Sequence, residues 1–149
     1  MKKILFLSTL FSFFALNAAN AEVIGVVDFD KVVDNYTRVQ AVSDEISDKY
    51  AEIQRYSFDK EREYKKLSTP LERKNFEEST AKELSKKQDP YLKLKHRKEA
   101  EIDASIKNAI KQVAIANKID TVVEKTVIFF GGVDITDKVV KQLNNPSAK

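Results

Sequence analysis

From Val26 to Phe130 the chain runs 105 residues without a glycine and with only two prolines, Pro70 and Pro90. Glycine and proline are the strongest local breakers of regular structure, and this span is rich in Lys, Glu, Ala, Leu, Ile and Gln. It can form little other than long helices. The breaks fall where capping chemistry changes. At Ser68-Thr69-Pro70-Leu71-Glu72, Thr69 suits an N-cap, Pro70 suits the first helical position, and Glu72 completes a capping box, while Lys65 and Lys66 suit the negative end of the preceding helix. Asp89-Pro90 repeats the cap-plus-proline dipeptide without the box residue, and helical pattern continues on both sides. That reads as a kink. The predicted object is a hairpin: an outgoing arm from about Lys31 to Leu67, a tip at Ser68-Thr69, and a return arm from Pro70 to about Ile119. Arms of this length reach roughly 55 to 75 Å at a rise of about 1.5 Å per residue.

The outgoing arm carries Val39, Val42, Ile46, Tyr50 and Ile53 at steps of three and four, one apolar stripe. The stripe continues on Ser57 and Lys60 before Tyr64 and Leu67. In the return arm the far half is sparse (Phe76, Leu84, Leu92, Leu94), and the near half has Ile102, Ile106, Ala109, Val113 and Ala116 in a coiled-coil seam. Between Asp59 and Glu101, 23 of 43 residues are charged, so the outer arms are solvated helices without a core. Glu61/Lys65, Glu78/Lys82 and Glu83/Lys87 are spaced to pair, each adding only about 0.2 to 0.5 kcal/mol.

The N-terminus reads as an export signal. Lys2 and Lys3 precede an apolar run from Ile4 to Leu16, and Ala19-Asn20-Ala21 places small residues for cleavage after Ala21. An apolar run of this length is short for a membrane span. The expected mature protein is a single 22–149 domain, with a body from 22–36 and 120–144 and an arm from 37–119. Removing Lys2 and Lys3 leaves 24 Lys+Arg against 23 Asp+Glu, so global charge selects no partner class, and no nucleic-acid partner is expected. With no cysteine, a disulfide framework and a lipoprotein anchor are excluded.

Val23-Ile24-Gly25-Val26-Val27-Asp28-Phe29 is near-continuously apolar and β-branched, as in a strand covered on both faces. Asp30 is a plausible cap for a short turn through Tyr36. After the arms, Thr126-Val127-Ile128-Phe129-Phe130 reads as a strand, Gly131-Gly132 as a turn, and Val133-Asp134-Ile135 as a second short strand or an extended lead. Thr136 is placed to cap a helix carrying Val139, Val140 and Leu143, ended by Asn144-Asn145-Pro146. The fold class is α+β, predominantly α: a long helical-hairpin arm on a small β body. So few strands leave unpaired edges, which oligomerisation would cover. The candidate assembly residues are Val23, Ile24, Val26, Val27, Phe29, Val127, Ile128, Phe129 and Phe130.

Ile24 to Val33 at the start, and Ile119 to Lys125 with Val133 to Leu143 at the end, resemble the two conserved ends of the Skp (OmpH-like) family of periplasmic chaperones. The order signal, strand, charged hairpin, strands and capped helix is similar over essentially the whole chain. The resemblance implies a homotrimer with a β-barrel body and helical tentacles. It further implies an ATP-independent holdase that keeps unfolded outer-membrane proteins in a cavity between the arms, in the periplasm.

Catalysis finds no footing. His96 is the single histidine, set between Lys95 and Arg97 with nothing spaced to orient it, and Gly131-Gly132 lacks the spacing of a phosphate-binding loop. No metal or cofactor is expected. The candidate client contacts are the arm aromatics Tyr56, Phe58, Phe76 and Tyr91, with Tyr50 and Tyr64 read as filling the seam. The candidate basic patch is Lys82, Lys86, Lys87, Lys93, Lys95, Arg97 and Lys98, against Glu83 and Asp89. Its partners would be acidic clients, anionic lipid or lipopolysaccharide, the family association, or it is simply a solvated face. The competing reading of the whole chain is a structural or adaptor coiled coil of the envelope.

Overall fold

A computed structural model describes residues 22–145; the signal segment, its cleavage point and the last four residues lie outside that range. In chain order the elements are β1 (Ile24–Val27), α1 (Phe29–Asn35), α2 (Thr37–Tyr64), α3 (Pro70–Ala116), β2 (Thr121–Glu124), a single 3-10 turn (Lys125–Val127), β3 (Val133–Asp134) and α4 (Thr136–Leu143). The class is α+β and mostly helical, as the sequence reading holds.

The sheet has the order β2-β1-β3 with both pairings parallel. Parallel neighbours need a long crossover, and between β1 and β2 the whole hairpin supplies it. Val27 faces the helices and joins a core with Val32, Tyr36, Ile106, Ala109, Val113, Ile119, Ile135 and Val139. Val26, on the opposite face, is also buried. There the chain returning to β3 passes so close that a Cβ on Gly132 would meet Val26 Cγ2 at 2.4 Å, and Gly132 also has φ +87. Both the turn geometry and the close approach require glycine there.

Five sequence expectations are corrected. The strand expected at Thr126 to Phe130 does not form: β2 lies at Thr121–Glu124, where Val122 and Val123 align beside Gly25 and Val26. Both segments suit a strand by composition, and only the first finds a partner. The first helix is capped by Asp28 rather than Asp30, with the Lys31 N–H donating to Asp28 Oδ1 at 2.9 Å. The outgoing helix does not run from Lys31, because it breaks at Tyr36. The return helix ends at Ala116, not Ile119. Lys118 takes φ 54, the Ile119 N–H donates to Ala114 O, and the Lys118 N–H donates to Ile115 O, which is a Schellman stop. Finally, Thr136 does not cap α4. Its N–H donates to Asp134 Oδ1 at 2.9 Å, and its hydroxyl oxygen accepts the Asp28 N–H at 3.0 Å.

The arms are unequal, 28 residues in α2 and 47 in α3, and the core explains why. The last turns of α3 belong to the body: Ile106, Ala109, Val113 and Ala114 are buried against the sheet side, α1 and α4. Ala116, placed in the seam by its spacing, is exposed. The tip forms as its sequence dictates, with the full Thr69/Glu72 capping box and Pro70 in the first turn. Helix α3 continues through Pro90 without interruption.

Candidate functional site on the helical arm

Between Gln54 and Ser105 no residue is buried, so the outer arm is surface almost throughout. What joins the two helices there is a set of side-chain pairs in step along the hairpin. Arg38 meets Glu101 (3.0 Å), Glu45 meets Lys98 (2.8 Å), the Tyr50 and Tyr91 rings lie 5.9 Å apart, Tyr56 donates to Glu83, and the Tyr64 and Phe76 rings lie 6.3 Å apart. The pairs on either side of Pro90 stay in step.

Three of the four aromatics expected to be available are engaged inside the hairpin. Tyr56 has Glu83 on its hydroxyl, and Lys87 and Lys60 lie over its ring at 5.0 and 5.5 Å. The hydrogen bond to Glu83, then burial, pushes the Tyr56 phenol above its ordinary range. Phe76 packs on Tyr64 and has Lys60 5.5 Å over its ring; Tyr91 packs on Tyr50, which is itself about half exposed. Phe58 alone among the four stands free, at 61 % exposure. Cation–π contacts of this kind contribute about 0.5 to 1 kcal/mol at exposed sites. They hold the hairpin where apolar burial is thin.

The basic patch also divides. Lys87 lies over Tyr56, Lys98 pairs with Glu45, and Lys95 sits 3.9 Å from Glu99. Lys82, Lys86, Lys93 and Arg97 follow one another at steps of four, seven and four, and all are exposed. They form one stripe on α3, with Arg97 4.0 Å from Glu101. Of the three spaced pairs, Glu61/Lys65 closes at 2.6 Å and holds the Glu61 carboxyl below its ordinary range. Glu83 is taken by Tyr56 instead, and no ion pair links Glu78 to Lys82 among the described residues.

The hairpin has two unlike faces, which the sequence reading did not separate. The interhelical polar ladder runs along one of them: Arg38, Glu45 and Tyr56 on α2, paired with Glu101, Lys98 and Glu83 on α3. The other face carries Ser43, Ser47, Tyr50, Gln54, Ser57 and Phe58 on α2, and Ala81, Leu84, Ser85, Gln88 and Leu92 on α3. Beside Ser43 and Ser47 it carries Lys95 and Glu99 of α3, and between Tyr50 and Phe58 on α2 and Ala81 and Leu92 on α3 the side chains named carry no charge. A groove stands at each end. The root groove, about 520 Å³, is lined by Phe29, Val33, Val39, Val42, Ile46 and Ile102, with Lys95, Glu99 and Asp103 on its rim. The groove nearer the tip, about 430 Å³, is lined by Tyr64, Phe76, Ala81 and Leu84, with Glu61 and Glu77 on its rim. The signal for this face was present in the sequence as uncharged residues recurring at steps of three and four within a charged segment.

The body presents a second surface. Phe129 and Phe130 are essentially fully exposed and Val127 is 71 % exposed, in the loop between β2 and β3; Val23, Ile24 and Val133 are also exposed, and Phe29 and Ile128 are half-buried. Val26 and Val27, by contrast, are buried within the single chain.

A family model for outer membrane protein (OmpH-like) matches residues 23–143, nearly all of the described chain. A search of curated proteins finds no match.

Proposed function

The chain belongs to the OmpH-like family of Skp-type chaperones, and from that premise we propose that it is an ATP-independent periplasmic holdase that binds unfolded outer-membrane proteins between its arms. The observation that carries this reading is the long arm without a buried residue from Gln54 to Ser105, standing on a body that has its own core. Surface of that extent, held by ion pairs and cation–π contacts worth tenths of a kcal/mol to about 1 kcal/mol each, suits weak contacts spread over many sequences. The working form is a homotrimer. Support for assembly comes from the exposed Val127, Phe129 and Phe130 and from the free edges of β2 and β3; the number three comes from the family.

Opposite charge speeds encounter over distances near the Debye length, about 8 to 10 Å at ordinary salt. The stripe of Lys82, Lys86, Lys93 and Arg97 is placed to capture acidic segments of a client or anionic lipid head groups, lipopolysaccharide included. The reading is tested by diluting a denatured outer-membrane β-barrel protein into the mature protein at stoichiometric ratio without ATP. A soluble complex is expected; aggregation as fast as in buffer alone would sink the holdase reading. An adaptor coiled coil would instead bind one folded partner through one defined patch.

A further inference from the structure

We propose that the fold of this chain sets the order of its own export processing: the bond between Ala21 and Glu22 is open to cleavage only before the body closes, because closure ties the two residues after the cut into the sheet. This rests on the reading of residues 1–21 as an export signal removed after Ala21. The tie is made mainly by backbone groups. The Val23 N–H donates to Asp120 Oδ2 at 2.9 Å, and the Val23 carbonyl accepts the Asp120 N–H at 3.0 Å and the Thr121 N–H at 3.4 Å. The Thr121 hydroxyl donates to Glu22 Oε1. Although the side chains of Glu22 and Val23 are exposed, both polar backbone groups of Val23 are taken.

A protein that binds a peptide as extended chain holds it by those same backbone groups. A peptidase cleft must therefore compete with Asp120 and Thr121 for Val23. The next residues give no slack. Ile24 lies beside Thr121, and Gly25 lies between Val122 and Val133 in the central strand. A Cβ on Gly25 would meet Ile119 Cγ2 at 2.9 Å, and Val26 and Val27 are buried. Cleavage of a closed chain then proceeds only through the fraction that opens locally.

The topology leaves time for the cut to come first. The partners of Glu22 and Val23 lie 97 to 99 residues further along the chain, on the far side of the whole hairpin, and Asp28 finds Thr136 108 residues on. At a synthesis rate of about 5 to 20 residues per second, a stretch of that length follows roughly 5 to 20 s behind the cut site. A β-hairpin partner next in sequence would instead close within about 1 to 10 μs. A chain that closes uncut keeps the apolar run from Ile4 to Leu16 attached to a finished body.

The test presents the full 1–149 chain to purified signal peptidase in detergent, either at the moment of dilution from urea or after refolding, with the products followed by mass spectrometry. Cleavage after Ala21 should be about tenfold slower once the chain has refolded. Asp120→Ala with Thr121→Val removes the side-chain part of the tie at two exposed positions and should recover most of that rate, with far-UV circular dichroism unchanged. A second measurement needs no attached signal. The mature chain is given a site-specific protease sequence ending directly before Glu22, or the same sequence set off by about ten Gly/Ser residues. In the folded protein the direct site should be cut about tenfold more slowly than the spaced one. Equal cutting of the direct and spaced sites overturns the proposal, as does equal cutting of the refolded and freshly diluted chain. A slow cut that the double substitution leaves slow overturns the tie as its cause. If the freshly diluted chain is not cut after Ala21, the export reading falls and this one falls with it; if it is cut there at a rate that folding does not change, only this one falls.

Discussion

Lys118 holds φ 54 at the end of α3, in the left-handed region where a Cβ is a penalty and glycine is usual. The stop is kept because Ile119, three residues past the last helical residue Ala116, drops into the core while its N–H closes on Ala114 O at 3.0 Å. Replacing Lys118 with glycine should therefore raise the thermal midpoint of the body, by roughly 1 kcal/mol of added stability, read by calorimetry; a lower midpoint would show that the lysine contributes more than its backbone costs. Asn144 makes the reverse case, a residue whose side chain does more than its position at the end of α4 suggests. Its Oδ1 accepts from the Thr37 N–H at 3.1 Å and from the Thr37 hydroxyl at 3.0 Å, and its amide donates to Asn35 O at 2.8 Å. One side chain from 107 residues away thus caps the start of α2 and the end of α1 across the break at Tyr36, where no local side chain does so. Asn144→Ala should cost about 1 kcal/mol, as loss of a helix cap does, with faster amide exchange confined to the first turn of α2. Unchanged exchange there would mean water replaces the cap.

At the scale of elements, α3 is two helices in function and one in structure. Its outer part is an exposed arm, and its last turns are the centre of the body, with Ile106 fully buried. Ile106→Ala should cost about 2 to 5 kcal/mol through lost burial and a cavity, enough to unfold much of the body. Leu84→Ala, at a half-buried arm position, should cost far less; denaturant unfolding of both variants checks the contrast. Much of this was legible beforehand. The tip was written in Thr69, Pro70 and Glu72, because a capping box is local chemistry and needs no distant partner. The long helices were written in the missing glycines. The strands were not, since Thr121 to Glu124 and Thr126 to Phe130 suit extended chain about equally, and register beside β1 decides between them. The end of α3 was hidden for a similar reason: a lysine sits where the expected stop signal is glycine. On the arm, charge and aromatic content were legible, but which rings are occupied was not. Lys87 and Glu83 reach Tyr56, and Lys60 reaches Phe76, only once the hairpin register is set.

At the scale of the whole molecule, the body is more self-sufficient than its strands and short helix imply, because α3 lends it Ile106, Ala109 and Val113. This separates two roles that the sequence reading joined, folding and assembly. Val27 is 4 % exposed inside the core of one chain, so Val27→Asp leaves a carboxylate with neither water nor partner and should unfold the body itself. Phe129 and Phe130 contribute nothing to that core, yet they are two large rings held in water at 106 and 96 % exposure. Each phenylalanine can bury on the order of 150 to 250 Å², so the pair with Val127 supplies a large share of the roughly 800 Å² per partner that a standard interface uses. Phe129→Ser with Phe130→Ser should therefore lower the mass seen by light scattering from that of the proposed trimer to that of a monomer at micromolar concentration and leave the far-UV circular dichroism of the subunit intact. Loss of helix content together with mass would show that the subunit needs its partners to fold, and an unchanged mass would remove the exposed rings from the interface and leave the strand edges to carry assembly alone.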